Sequence, residues 1–427
     1  MTNVNGLPER PLLLGRLDRR EFLRRSLYSS AGLAAGGLLA ACAGGNKPST
    51  KTGGDSGANG KPIKIGFIAL TDCSSIVMAE QLGYFKEKGL DVQVIKQASW
   101  PATRDNLLNG EIDAAHCLFS MPTSLAAGIG GKPDQILKIA MVLNNNGQSI
   151  TLKKDLAGVG YADLKEVKST LGKSKRTLAM TFPGGTHDTW LRYWLLAAGI
   201  GMDDIKIIPI PPPQMVANMT VGTMDGFCVG EPWNAQAVQE DIGFTAINTQ
   251  DIWQHHPEKA LIVRPNLETE RRDDLKAVMS AVLKASRWLD EPDNRKRAAM
   301  KVGVPAFVGA KPQVIEGRML GKYDLGAGLG SKTYTEDYMR FFRDGKTNAP
   351  RRAHAIWFLA QYRRFGYLKQ DPAYREIADR LVLSDLYQEV ASAEGIAVPD
   401  DDMAPFEVKL DGVEFDPNSP EKEATRV

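Results

Sequence analysis

The stretch IKIGFIALTDCSSIVMAEQLGYFKEKGLDVQVIKQ, residues 63–97, decides the fold. It opens with IKIGFIAL (63–70), an apolar run with the length of a strand buried on both faces. A helix is expected from about Ser75 to Lys88, closed by Gly89, and LDVQVIKQ (90–97) reads as a second strand. Strand, helix and strand in so short a span make the unit of a parallel sheet, so the chain is predicted to be α/β.

Reading outward, the alternation continues, and a weak internal repeat appears within it. TRDNLLNGEIDAAH (103–116) and MVANMTVGTMDGFC (215–228) each give a short helix, then Gly-x-x-Asp, then a strand of small and apolar residues. Gly110 and Gly222 fall where a helix end needs a left-handed residue. Two such units predict two α/β lobes with a ligand cleft between them, because binding sites favour such junctions. The first lobe is expected to run from 61 to 152, with a second from about Lys153 to Glu258 that contains the strand TLAMTF (177–182). ALIVRP (260–265) reads as a strand returning to the first lobe, with charged helices over 270–300 in the remainder (259–399), and residues 400–427 as a polar, extended C-terminal arm.

Towards the N-terminus the sequence changes character. DRREFLRR (18–25) precedes an alanine- and glycine-rich run from Leu27 to Ala41. That run is shorter than the ~20 residues a spanning helix needs, so residues 1–41 read as an export signal. Arg19-Arg20 followed by Phe22-Leu23 resembles a twin-arginine motif, with a general secretory signal as the alternative. Leu39-Ala40-Ala41-Cys42 resembles a lipobox, which implies that the Cys42 thiol carries a diacylglyceryl group. Several acyl chains at about 0.8 kcal/mol per buried methylene hold a body firmly to a bilayer. Residues 42–60 then form a flexible glycine- and serine-rich tether. This layout predicts an extracytoplasmic, lipid-anchored protein on the periplasmic side of the plasma membrane.

Composition narrows the function classes. With 43% hydrophobic and 24% charged residues over 427 positions, the chain is neither fibrous nor wholly disordered. The net charge is +2, and from Cys42 onward 47 basic residues stand against 48 acidic ones. Nucleic acid is therefore not an expected partner. Among four cysteines there is no CxxC pair, and among five histidines no HExxH, so neither a zinc ribbon nor a histidine-based metal enzyme is expected. GAGLGSKT (326–333) fails both phosphate-loop spacings and reads as a loop. No GxSxG elbow occurs. His116 and Cys117 are adjacent on an expected strand, so their side chains diverge and cannot form a nucleophile–base pair.

The most informative segment is FPGGTHDTWLRYWLLAAG (182–199). A strand ends at Pro183-Gly184-Gly185, and a helix opens at Thr186, an N-cap residue type. Its free amides and dipole make an anion site, with His187 in the first turn; a capping turn with a surface histidine is the plain alternative. Other donors lie at strand ends: Trp100, Gln148, the amide of Gly230, and Lys259. Each has a plain reading too, as core, turn or solvated charge.

Taken together these strings carry a resemblance. GFIALTD, KQASWPATRDNLLNGEIDAAH, NGQSI, FPGGTHD, PPPQMVANMTVGTMDGFCVGEPWN and HPEKA look like the nitrate-binding lipoproteins of bacterial ABC importers, within the wider nitrate/bicarbonate/sulfonate solute-binding family. The resemblance implies a two-lobed periplasmic-binding-protein-like fold of type II and delivery of a small oxyanion to an ABC permease and its ATPase. It also implies an anion held by Trp100, Gln148, His187, Gly230 and Lys259, with Glu231 beside them. Nitrate accepts hydrogen bonds and donates none, so converging donors suit it. Bicarbonate carries one O–H, so Glu231 leaves a bicarbonate protein open as the alternative, for which calcium is an expected companion. No other cofactor is implied. A larger sulfonate or a pyrimidine would require more room than Trp100 allows. An extracytoplasmic enzyme using His187 with Asp188 or Glu231, and a ligand sensor, are the readings of other classes.

Overall fold

A computed structural model of the protein describes residues 61–399 and 401–426. The segments expected to be an export signal, a lipobox ending at Cys42 and a tether lie outside the described residues. Ten strands carry the core: β1 Ile63–Phe67, β2 Val92–Lys96, β3 Ala114–Leu118, β4 Lys138–Asn145, β5 Gln148–Lys153, β6 Arg176–Met180, β7 Ile205–Pro209, β8 Gly226–Gly230, β9 Gly243–Asn248 and β10 Pro257–Val263. They form two five-stranded sheets, ordered β2-β1-β3-β10-β4 and β7-β6-β8-β5-β9. In each sheet four strands run in one direction and the fourth in order, β10 or β5, runs against both its neighbours. This is the expected two-lobed, type II binding-protein architecture.

The repeat occupies equivalent places. β3 and β8 each lie third in their sheet, after a helix that ends in a left-handed glycine, Gly110 at φ 80° and Gly222 at φ 79°. The aspartate three residues on has the same job twice. Asp113 accepts the Lys64 amide at 2.9 Å, and Asp225 accepts the Thr177 amide at 2.9 Å. Each carboxylate thus pins the incoming strand to its parallel neighbour, where the ladder has no other partner to offer.

The crossing between sheets falls earlier than expected. β5 already belongs to the second sheet, so the chain changes lobe at Asn146-Gly147 and not near Lys153. Both residues have positive φ, 59° and 93°, which turns the chain sharply between two strands of almost continuous burial. The return passes through a 3-10 turn, Thr249–Asp251, into β10.

The charged segment around 270–300 folds as two helices, Arg272–Leu289 and Pro292–Val302, whose apolar faces join β1 and β10 in one core cluster. GAGLGSKT is the loop and second strand of a small hairpin, β11 Lys322–Asp324 with β12 Ser331–Thr333. The C-terminal segment is not an extended arm. It forms a hairpin, β13 Phe406–Val408 with β14 Val413–Phe415, and a short helix, Pro420–Ala424. Phe406 stacks on Trp253 with ring centroids 4.3 Å apart and planes 4° from parallel. Glu423 accepts from Gln361 Nε2 at 2.8 Å on the helix Arg352–Arg364. A few buried apolar side chains and ion pairs fold a segment whose composition is otherwise polar.

Candidate anion-binding site

The first turns of the helix Thr186–Ala197 meet β5 through Gln148 and β10 through Glu258, where the two sheets face one another. The lobes are closed over this point: the Thr71 amide donates to the Glu231 carbonyl at 2.7 Å, and Trp233 Nε1 donates to the Ala69 carbonyl at 3.0 Å. Trp100, Gln148, His187 and Lys259 are fully buried. Open hollows lie elsewhere on the surface, one of them lined by Arg287, Asp290 and Arg343.

Lys259 is central. A register shift on each side of it in the β10–β4 ladder breaks the strict alternation of side chains. Glu258 and Lys259, adjacent in sequence, therefore meet head to head, Lys259 Nζ donating to Glu258 Oε1. Lys259 Nζ also donates to Asp72 Oδ2 at 2.9 Å and lies 5.7 Å from the centroid of the Trp100 ring. Asp72 in turn pairs with His116 Nε2 at 2.7 Å. Burial alone would lower the Lys259 ammonium, but the two carboxylates outweigh it and hold its pKa above the ordinary lysine value. Asp72 is held below the ordinary carboxylate range, Lys259 and His116 together exceeding its burial penalty.

The remaining predicted residues close the ring around this charge cluster. Gly230 faces Gln148 in the β5–β8 ladder, and a Cβ on Gly230 would stand 3.1 Å from Asp72 Oδ2, so only glycine presents its backbone here without pressing on the cluster. Gln148 Nε2 donates to Thr186 Oγ1 at 3.2 Å, and Thr186 Oγ1 donates to Glu258 Oε1 at 3.0 Å. His187 Nδ1 bonds Thr181 Oγ1 at 2.6 Å, which leaves Nε2 turned towards Glu258 Oε1, 3.8 Å away. Burial, with Lys259 and His256 adding to it, holds His187 well below the ordinary histidine value, so its ring is neutral. Thr186 is the first helical residue and not the cap; Gly185 takes that position without a side-chain bond, which frees the threonine hydroxyl for the site.

Several buried polar atoms of this cluster have no hydrogen-bond partner: Trp100 Nε1, His116 Nδ1, His187 Nε2 and Gln148 Oε1. A buried donor left unmade costs about 1–3 kcal/mol, so Trp100 Nε1 and His187 Nε2, whose Nδ1 accepts from Thr181, describe beside the Lys259 cluster a site built for a guest.

Glu231 differs from its expected place. Its carboxylate lies behind β8, 3.6 Å from Arg318 Nε, accepting from Ser149 Oγ at 3.4 Å and from the Ala235 amide at 3.0 Å. Strand alternation is the reason: Gly230 points its bare face at Asp72, so the next side chain points away. Lys259 is neutralised by Asp72 and Glu258. Asp188, the other acid considered for His187, is bound to Arg192 at 2.7 Å and caps the Gly184 amide at 2.8 Å. Sequence reasoning missed Asp72, His116, Thr186 and Glu258. The signal available was Glu258-Lys259 in PEKALIV, a charged doublet inside a strand buried at every position. Among the described residues no group of three or more His, Cys, Asp or Glu side chains is arranged to hold a metal ion.

Residues 56–303 match the model of the NMT1-like family. The chain is 36% identical to the nitrate/nitrite binding protein NrtA of Nostoc sp. PCC 7120, over 95% of this chain and 97% of that one. It is 34% identical to part of the nitrate import ATP-binding protein NrtC of Synechocystis, covering 86% of this chain and 55% of that one. The bicarbonate-binding protein CmpA of Synechococcus elongatus is more distant, 29% identical over 84% of this chain and 85% of that one. Among solved structures, the periplasmic nitrate-binding protein NrtA of Synechocystis PCC 6803 superposes with a TM-score of 0.80 at 35% identity, over 85% of this chain and 97% of that one. By fold, by the family model and by identity over most of its length, the chain belongs to the NMT1-like family, alongside the nitrate/nitrite binding proteins.

Proposed function

We propose that this protein captures nitrate, and with it nitrite, between its lobes and delivers it to an ABC permease and its ATPase, altering nothing in the ion. The observation that carries this reading is that Trp100 Nε1 and His187 Nε2 are buried without a hydrogen-bond partner beside the Lys259 cluster, Lys259 Nζ lying 5.7 Å from the Trp100 ring and its partner Glu258 3.8 Å from His187 Nε2. Nitrate is planar, monovalent and acceptor-only, so it takes hydrogen bonds from tryptophan, histidine, glutamine amide, glycine amide and lysine and leaves none of its own unpaired. The Gly230 amide and the Gln148 side chain complete the set. Closure is the second element of the mechanism. The Thr71–Glu231 and Trp233–Ala69 bonds span the mouth and seal the ion from water, and docking on the permease breaks them. The relatives named for nitrate, one of them an ATP-binding import protein, support the same substrate class and partners.

In this reading Cys42 carries the lipid that tethers the body to the outer face of the plasma membrane, after export through the twin-arginine route. Among the described residues no helix is long and apolar enough to cross a bilayer. The test is calorimetric titration of the protein with sodium nitrate, sodium nitrite, and bicarbonate with and without calcium. Nitrate and nitrite are expected to bind at one site; heat from bicarbonate plus calcium alone would reassign the substrate.

A further inference from the structure

We infer that Glu258 is the specificity-determining acid of the site: resting on the nitrate reading above, its carboxyl takes one proton from solvent as the anion enters, and then donates to the anion instead of opposing it. In the closed protein Glu258 occupies an anion's place. Its Oε1 accepts from Lys259 Nζ and Thr186 Oγ1 and stands 3.8 Å from His187 Nε2, while Oε2 lies 3.5 Å from Trp190 Nε1. Lys259 and His187 are also donors assigned to the anion, so an entering oxyanion displaces this carboxylate from its lysine.

The other titratable and charged groups around Glu258 determine its protonation once it is displaced. On its own strand and the turn before it stand Lys259 and His256, the latter 4.0 Å from Oε2. From the first lobe comes Asp72, backed by His116. The helix Thr186–Ala197 brings His187, and β8 brings the buried thiol of Cys228. Burial holds all three histidines below their ordinary value, His256 at about 3, and it holds the Cys228 thiol up, so none of these four groups carries charge near neutrality. Two carboxylates then face one ammonium. Asp72 keeps its charge, because both Lys259 and His116 bond it. A displaced, ionised Glu258 would face a second anion with no cation left to it. Burial pushes its pKa up to about 7, Lys259 pulling it down and Asp72 pushing it up, so the proton is available near neutral pH.

The protonation state also sets which oxyanion fits. Protonated Glu258 offers an O–H to acceptor-only nitrate. Ionised Glu258 offers an acceptor, which suits the O–H of bicarbonate.

The test is titration with sodium nitrate from about pH 6 to 9, in paired buffers of low and high ionisation enthalpy, which count protons. The wild-type protein is expected to take up one proton per nitrate at pH 8, with Kd rising about tenfold per pH unit above 7. Glu258→Gln is expected to bind with a Kd that is flat over this range and with no proton uptake. In the wild-type protein, nitrate is expected to bring up the infrared C=O band of a protonated carboxyl, a readout that does not depend on the variant folding. Nitrate binding with no proton and no pH slope would overturn this inference alone, as would a slope that persists in Glu258→Gln. Absence of nitrate binding at every pH would remove the functional reading itself.

Discussion

Replacing Lys259 by methionine keeps the length of the side chain and removes its charge. In the folded protein Lys259 Nζ bonds both Asp72 and Glu258, and all three side chains are fully buried. The substitution leaves Asp72 with His116 and Glu258 with Thr186 and Trp190, none of them charged. Removing one partner of a buried ion pair costs about 3–5 kcal/mol, and the cost grows with pH. Without Lys259 the Glu258 carboxyl rises further above its unfolded value of 4.5. The folded state then holds a proton that the unfolded state releases, so stability falls as pH climbs from 4.5 through and beyond 7, at about 1.4 kcal/mol per pH unit. Urea unfolding of Lys259→Met at pH 5.5 and pH 8 is expected to show the larger loss at pH 8. Adding Glu258→Gln to Lys259→Met should recover much of that loss without restoring nitrate binding. Stability at pH 8 equal to wild type, or nitrate affinity within threefold of wild type, would refute the reasoning.

Trp100→Phe keeps an aromatic face beneath Lys259 and deletes the free indole N–H; calorimetry should show nitrate binding weakened by about 1–2 kcal/mol with the fold intact. Arg318→Met strips the counter-ion from buried Glu231 and should cost about 3 kcal/mol in urea unfolding, with nitrate affinity retained because Glu231 points away from the anion. Gly230→Ala places a Cβ 3.1 Å from Asp72 Oδ2 and 3.3 Å from Leu70, so nitrate Kd should rise about tenfold while the melting temperature moves little. Melting temperature should fall as pH drops below 6.5. His116, His187, His256 and His354 are all held below that value by burial, so the unfolded state binds more protons there, and each histidine withdraws about 1.4 kcal/mol per pH unit. Glu258 opposes this with one proton between pH 4.5 and about 7.

The two-sheet architecture is legible in the sequence because each half carries its own marker. Gly110 with Asp113 and Gly222 with Asp225 place β3 and β8 in the same position of their sheets. The lobe crossing is not legible, because β4 and β5 are both buried nearly throughout and only Asn146-Gly147 separates them. The C-terminal hairpin is hidden for the opposite reason. Phe406, Val408 and Phe415 are too few to shift a polar composition, and their packing against Trp253 is a long-range event. In the site, Trp100, Gln148, Gly230 and Lys259 each read singly as core, turn or solvated charge, and only the resemblance joins them with His187 into one set. An aspartate or glutamate met in a sequence likewise reads as solvated. Asp72 is visible only once the fold buries it beside Lys259, and Glu258 leaves one trace in the sequence, the charged doublet inside PEKALIV. The side-chain alternation that excludes a His116–Cys117 pair also implies that one of the two faces the cleft, and His116 is that one.

The central claim is an oxyanion bound where the two sheets face one another, and a crystal structure of the protein grown with sodium nitrate tests it most directly. The expected result is a single nitrate sealed between closed lobes, in contact with Trp100, Gln148, His187, the Gly230 amide and Lys259, with Glu258 moved off the lysine. Nitrate found only on the outer surface, with Glu258 still bonded to Lys259 and the cluster undisturbed, would contradict it.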